Sequence, residues 1–203
     1  MRAALAEINL GAVRKNLALV QAKAPGSRVL AIVKADGYGH GLEAIAQALA
    51  GAPQPADAFG VASIDDAARL RASGISARIV LLSGFDEISD LVAIQELELD
   101  SVIHHEDQIS MLERAPNIAS ARPIRAWLKL DSGMRRLGFF ADQLRQAIAL
   151  YRQVPTADLA SPGNNSFIRF HSKSLRFLRK KQKQFDILQI RTFPVVYFQR
   201  RQR

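Results

Sequence analysis

Apolar positions along the chain alternate between two spacings. A short extended stretch, Ala3 to Ile8, ends at Asn9, a good helix cap, after which Leu10, Val13, Leu17 and Val20 recur at helical intervals. Pro25-Gly26 stops that helix. An apolar run from Arg28 to Lys34 then predicts a strand, followed by a loop, a helix over Gly41 to Ala50, and Pro53 and Pro55 as breakers. The unit repeats. Strands are predicted at Phe59 to Ala62, Ile79 to Leu82, Ser101 to His104 and Ile124 to Leu130, with a sixth fragment near Thr156 to Ala160. Helices are predicted at Ser63 to Ala72, Asp86 to Glu98, His105 to Arg114 and Ala141 to Arg152, and Ser63 with Asp66 resembles a capping box.

These strands do not alternate apolar with polar, so they are expected to be buried on both faces, as in parallel βα units. Two architectures meet that demand: a (β/α)8 barrel and an open doubly wound sheet. No GxGxxG follows a strand, which favours the barrel. The expected fold is therefore α/β of the (β/α)8 TIM-barrel type, incomplete, with about five to six βα units where eight close a barrel. Its open edges need cover from the C-terminal segment or from a partner.

Composition changes the picture mainly near residue 160. The 203 residues are 48% hydrophobic and 23% charged, a globular profile, with no run approaching the roughly 18 apolar residues of a membrane helix. No membrane partner is expected. Cysteine is absent, and Glu7 interrupts the place of a signal peptide's apolar stretch, so a cytoplasmic location is expected. The net charge of +9 is not evenly spread. Residues 161 to 203 carry 11 of the 28 Lys and Arg but 1 of the 19 Asp and Glu. The 31 alanines all lie at or before Ala160, whereas 6 of the 10 phenylalanines lie after it. Two regions are expected: residues 1–160, a partial barrel domain, and residues 161–203, a basic tail derived from a frameshift. A genuine basic appendage is the competing account. The run RFLRKKQKQF (Arg176 to Phe185) reads as a solvated face, and no nucleic-acid partner is expected.

The strongest chemical signal is AIVKADGYGHG, Ala31 to Gly41. Here a buried strand ends at Lys34 and a glycine-rich loop runs directly into a helix. In a barrel this is the end at which active sites are built. Leu30, Ile32 and Lys34 share one strand face, so the amine sits above apolar residues, an environment that suits Schiff-base formation with an aldehyde. Gly37, Gly39 and Gly41 allow close backbone approach, and the Tyr38 hydroxyl can donate to an anion such as phosphate. The stretch resembles the pyridoxal 5'-phosphate attachment site of alanine racemases, close to VKA(N/D)AYGHG, with Gly37 in place of the usual alanine. The resemblance implies that Lys34 forms the internal aldimine and is one of two catalytic bases, and that Tyr38 contacts the cofactor phosphate.

A second signal lies about 95 residues on, in WLKLDSGMRRLGF, Trp127 to Phe139. Lys129 shares a strand face with Trp127, and a glycine-containing turn presents Arg136, whose planar cation can hold a carboxylate or a cofactor phenolate. The segment is similar to the family pattern K-x-D-x-G-M-x-R-x-G. That similarity implies that Arg136 contacts the substrate carboxylate and the cofactor phenolic oxygen, and that Lys129 is the lysine some members carry carbamylated. Asp131 and Arg135 read as turn residues.

The resemblance implies interconversion of L-alanine and D-alanine, for cell-wall precursors or catabolism. Family members place the second base, a tyrosine, in a C-terminal β domain that reaches across a homodimer interface. Neither Tyr151 nor Tyr197 has the matching context, so this chain is expected to be inactive by itself, and its dimerisation is not expected. The alternative is a non-catalytic barrel that binds pyridoxal phosphate without turnover. His104-His105 lacks metal-ligand spacing and reads as solvent-facing, His40 as orienting Tyr38 or local structure, and Trp127 as core.

Overall fold

Asn9 starts the first helix from its own side chain, accepting from the Ala12 amide at 3.0 Å, and α1 then runs Leu10–Lys23. The computed structural model describes residues 6–115, 124–131, 133–154, 157–159 and 196–200. Of the strand expected over Ala3 to Ile8, residues 6–8 are irregular and the rest lies outside the described residues. After α1 come β1 (Ser27–Ile32), α2 (Lys34–Gly39), α3 (Leu42–Ala50), β2 (Ala58–Val61), α4 (Ile64–Ala72), β3 (Arg78–Leu81) and α5 (Asp90–Glu96). The order continues with β4 (Leu99–Ile103), α6 (Glu106–Arg114), β5 (Ile124–Leu128), α7 (Gln143–Tyr151), β6 (Ala157–Leu159) and β7 (Val196–Arg200).

The sheet order is β6-β5-β4-β3-β2-β1-β7, and neighbours from β1 to β6 are parallel. Strands that follow one another in sequence order, without the reversal of a doubly wound sheet, form a barrel wall. The wall is not closed. β7 pairs antiparallel with β1, Leu30 opposite Tyr197, and so covers one of the two edges that the strand count leaves open.

Both faces of β1 to β5 are largely buried, which explains the missing alternation. Val29, Ala31, Phe59, Val61, Ile79 and Ile103 belong to the main core with residues of the helices, including Leu42, Leu70 and Leu91. Leu30, Ile32, Ala58, Val80, Val102 and Trp127 form a second cluster. Trp127 is core as expected, and its indole N–H donates to the buried Asp100 carboxylate at 2.8 Å. Gly60 lets this inner layer interdigitate, because a Cβ there would lie 2.5 Å from Ile32 Cδ1.

The expected Ser63 cap is present, with Ser63 Oγ accepting from the Asp66 amide at 3.2 Å. The helix expected over Asp86 to Glu98 is shorter, because the Asp90 carboxylate accepts from the Asp86 and Glu87 amides and holds them in a loop. Arg71 ties this region together. Its guanidinium donates to the carbonyls of Leu97 (2.8 Å), Ile75 and Ala77 (both 2.7 Å) and Glu98 (3.1 Å), and burial lowers its pKa. Arg71→Met leaves these carbonyls without their cation, so urea unfolding should show a loss of about 2–3 kcal/mol. An unchanged midpoint would show that water replaces the guanidinium at no cost.

Candidate active site

Directly after β1 the backbone turns left-handed. Ala35, Asp36, Gly37 and Tyr38 have φ of 53°, 53°, 62° and 57° and ψ between 35° and 54°, so the expected loop is one turn of left-handed helix. For L-residues this geometry costs about 1–2 kcal/mol each, so it persists only where surrounding bonds impose it. Those bonds are present. The Gly37 amide donates to Val33 O at 2.8 Å, the Gly41 amide to Asp36 O at 2.9 Å, and the Leu42 amide to Asp36 Oδ1 at 3.1 Å. His40 Nδ1 lies 3.0 Å from Gly37 O and 2.9 Å from Tyr38 O, so His40 holds the backbone of Tyr38.

The turn sets Lys34 half-buried, two residues past the end of β1. Tyr38 is 37% exposed, and its partial burial raises the phenol pKa, so the hydroxyl keeps its proton and can donate it in a hydrogen bond. The Asp36 carboxyl is held below its ordinary range, first by the Leu42 amide and then by Arg69.

The second segment leaves β5 in a closed loop. Lys129 O accepts from the Phe139 amide and Phe139 O from the Asp131 amide, both at 2.8 Å. Asp131 Oδ1 accepts from the amides of Gly133 (2.8 Å) and Arg135 (3.0 Å), so Asp131 and Arg135 are turn residues, as expected. Lys129 Nζ donates to Leu137 O at 3.1 Å, while burial and then the like charge of Arg136 lower its pKa. Arg136 is exposed and makes no hydrogen bond or ion pair among the described residues.

All four predicted site residues thus stand at the carboxyl ends of parallel strands, Lys34 and Tyr38 after β1, Lys129 and Arg136 after β5. No hydrogen bond or ion pair joins the two pairs among the described residues. Between them lies a rim that sequence reading missed. His104 is half-buried rather than solvent-facing, with Nε2 2.7 Å from Ser83 O, and Ser83 Oγ donates to Ala62 O at 2.7 Å. Gln108 is buried, accepting from the His104 amide at 2.9 Å and donating to Phe85 O at 3.0 Å. His105 is exposed and caps α6. Among the described residues, no group of three or more His, Asp or Glu could hold a metal ion.

A sequentially ordered parallel sheet defines an α/β barrel-type protein, and the half-buried Lys34 amine at the mouth end of its first strand marks the candidate site. Residues 8–163 match the model of the alanine racemase N-terminal domain, and the chain belongs to the alanine racemase family. The alanine racemase of Shewanella loihica is 44% identical over 160 residues, 78% of this chain and 42% of that relative. The solved biosynthetic alanine racemase of Pseudomonas aeruginosa superposes with a TM-score of 0.66 at 36% identity, covering 87% of this chain and 50% of that one. An alanine racemase of Bartonella henselae, solved with covalently bound pyridoxal phosphate, shares the fold (TM-score 0.65, 23% identity, 93% of this chain and 51% of that one). The chain spans about two fifths of the length of the curated relatives it matches.

Proposed function

We propose that this chain is the cofactor-bearing part of an alanine racemase, binding pyridoxal 5'-phosphate through Lys34 and acting on alanine for D-alanine supply in the cytoplasm. The observation that carries this reading is the left-handed turn that sets Lys34 and Tyr38 together at the mouth end of β1. The donor set fits the group: an amine for the aldehyde, a proton-keeping phenol for the phosphate, and the exposed guanidinium of Arg136 for the phenolic oxygen and the substrate carboxylate. When bound, the pyridine ring spreads the electron pair left on the substrate Cα as its proton departs. Lys34 Nζ takes that proton from one face. Racemisation also needs an acid on the opposite face. Tyr151 cannot supply it, because its hydroxyl is buried and donates to Ile124 O at 3.0 Å. On this reading the second base lies outside the family-matching residues.

Reduction with borohydride after addition of pyridoxal phosphate, followed by peptide mapping, tests the reading. A pyridoxyl label on Lys34 without conversion of L-alanine is the expected result. A label elsewhere, or none in folded protein, overturns it. A labelled chain that stays inert even when a full-length alanine racemase subunit is supplied favours the second reading, a non-catalytic cofactor-binding barrel. That alternative rests on the same unavailability of the Tyr151 hydroxyl.

Lys129 is proposed to carry a carbamate. Its neutral nitrogen bonds the carbon of CO2 and releases one proton, giving an anion able to pair with Arg136. Because the folded protein lowers its pKa, the neutral amine is populated below the ordinary lysine range of about 10.4. At fixed dissolved CO2, the 13C carbamate signal should therefore rise with pH and reach half its maximum below that value, and Lys129→Arg should remove it. A signal that survives Lys129→Arg would place the modification elsewhere.

We further propose that residues 1–160 form the barrel domain and 161–203 a basic segment of frameshifted origin. The composition switch at Ala160 and the end of the family match at residue 163 support this division. Noncoding sequence in every frame downstream of that codon would overturn it.

A further inference from the structure

We propose that Arg69, on α4, is a positioning residue for the cofactor site, holding the left-handed turn through Asp36. The inference rests on the reading of Lys34 and Tyr38 as cofactor ligands. Helix α3 begins with an N-cap, Gly41, that has no side chain to offer, and the Leu42 amide would lack an acceptor. Asp36, six residues earlier and in the left-handed region, supplies it through Oδ1 at 3.1 Å. One carboxylate thus fixes the middle of the turn to the start of the next helix.

Arg69 fixes that carboxylate in turn. Its NH2 group donates to the same Asp36 Oδ1 at 3.1 Å and to Glu43 Oε2 at 3.0 Å, while Nε donates to Glu43 Oε1 at 2.8 Å. Asp66 Oδ1, one turn earlier on α4, lies 3.7 Å from NH1. The guanidinium fork is therefore set by Glu43 on α3 and by Asp66 on α4. It presents one N–H to Asp36 in a fixed direction. No other side chain from beyond residues 34–41 hydrogen-bonds or ion-pairs with a side chain of the turn among the described residues. The pairs are solvent-exposed, with side chains 47% (Arg69), 53% (Asp36) and 38% (Glu43) accessible, so their effect is modest and lies in geometry. Loss of this hold lets Asp36 leave the strained region, and with it the relative placement of the Lys34 amine and the Tyr38 hydroxyl.

The test uses the full chain with pyridoxal 5'-phosphate as the probe, comparing Arg69→Ala, Arg69→Lys, Asp36→Asn and the double variant that combines Arg69→Ala with Asp36→Asn. Asparagine keeps an acceptor for the Leu42 amide and tolerates the left-handed region but drops the charge. Arg69→Ala is expected to weaken cofactor binding roughly threefold to fivefold and to shift the pH midpoint of the bound cofactor's visible band. Arg69→Lys should restore part of both. In the Asp36→Asn background the Arg69→Ala effect should largely vanish. Without cofactor, hydrogen exchange at the Leu42 and Gly41 amides should accelerate in Arg69→Ala, while the Ser73 amide at the end of α4 stays protected. That last readout separates the two ideas: if wild-type protein captures no cofactor, the functional reading fails, yet exchange still reports on the strut. Unchanged exchange at Leu42 and Gly41 overturns the proposal. So does a loss of affinity on Arg69→Ala that is equal in the wild-type and Asp36→Asn backgrounds, or a lowered urea midpoint with affinity and pH midpoint unmoved.

Discussion

Lys34→Ala is expected to abolish trappable capture of pyridoxal phosphate, leaving no pyridoxyl label at that position and no visible band from the bound cofactor. The Lys34 side chain makes no hydrogen bond or ion pair among the described residues and is half-buried, so the substitution should change the free energy of urea unfolding by no more than about 0.5 kcal/mol. Chemistry and stability therefore separate cleanly at this position. Lys34→Arg sharpens the test: it keeps the positive charge and a long apolar stem but carries a nitrogen that does not condense with an aldehyde at neutral pH. Equal loss in both variants assigns the effect to the nucleophilic amine. Retained binding in Lys34→Arg would instead mean that charge attraction to the phosphate holds the cofactor, and Tyr38 and Arg136 would then bear the affinity.

Gly84→Ala is expected to cause the largest loss of stability. Gly84 has φ of 76°, a region that costs an alanine about 1–2 kcal/mol. Its missing side chain also matters. A Cβ would stand 2.5 Å from Val102 O and would collide with the Gln108 amide nitrogen, the group that bonds Phe85 O. Crowding of a packed interior adds roughly 1–3 kcal/mol, so the sum is about 2–5 kcal/mol. At roughly 2–4 °C per kcal/mol for a chain of this length, the midpoint of thermal unfolding should fall by about 4–20 °C. The Gln108 bond to the His104 amide would be disturbed with it, along with the rim between β3 and β4. A loss below about 1 kcal/mol would mean that Gln108 swings away freely, and the rim would then be far less rigid than its hydrogen bonds indicate.

Most of the chain's elements can be read from its local pattern because their causes are local. Asn9 and Ser63 bond amides three residues ahead, so a cap three positions before a bonded amide is visible without any tertiary contact. Burial on both strand faces leaves a mark too, in apolar runs such as Val29 to Val33 that never alternate. The candidate site is legible for a different reason: Lys34, Tyr38, Lys129 and Arg136 sit in two short segments whose spacing is set by one turn each. What escapes is anything that depends on a second segment. His104 reads as a surface residue until Ser83, 21 residues away, offers its carbonyl. Asp90 reads as helix interior until its carboxylate takes the Asp86 and Glu87 amides and delays the helix start.

The amino-acid order alone determined the succession of strands and helices and the parallel α/β character, since both follow from periodicity, capping and glycine placement within a few residues, while Lys34 is proposed as the reactive amine from its strand-end motif and the family resemblance that motif carries. Only the tertiary structure decided the handedness of the turn at Ala35 to Tyr38, the capping of α3 by Asp36, the reach of Arg69 from α4, and the pairing of β7 with the exposed edge of β1. A left-handed turn of L-residues is unfavourable by its own propensity, and an open strand edge has no partner of its own. Both are settled by groups that lie far away along the chain and close in space, which local pattern cannot record.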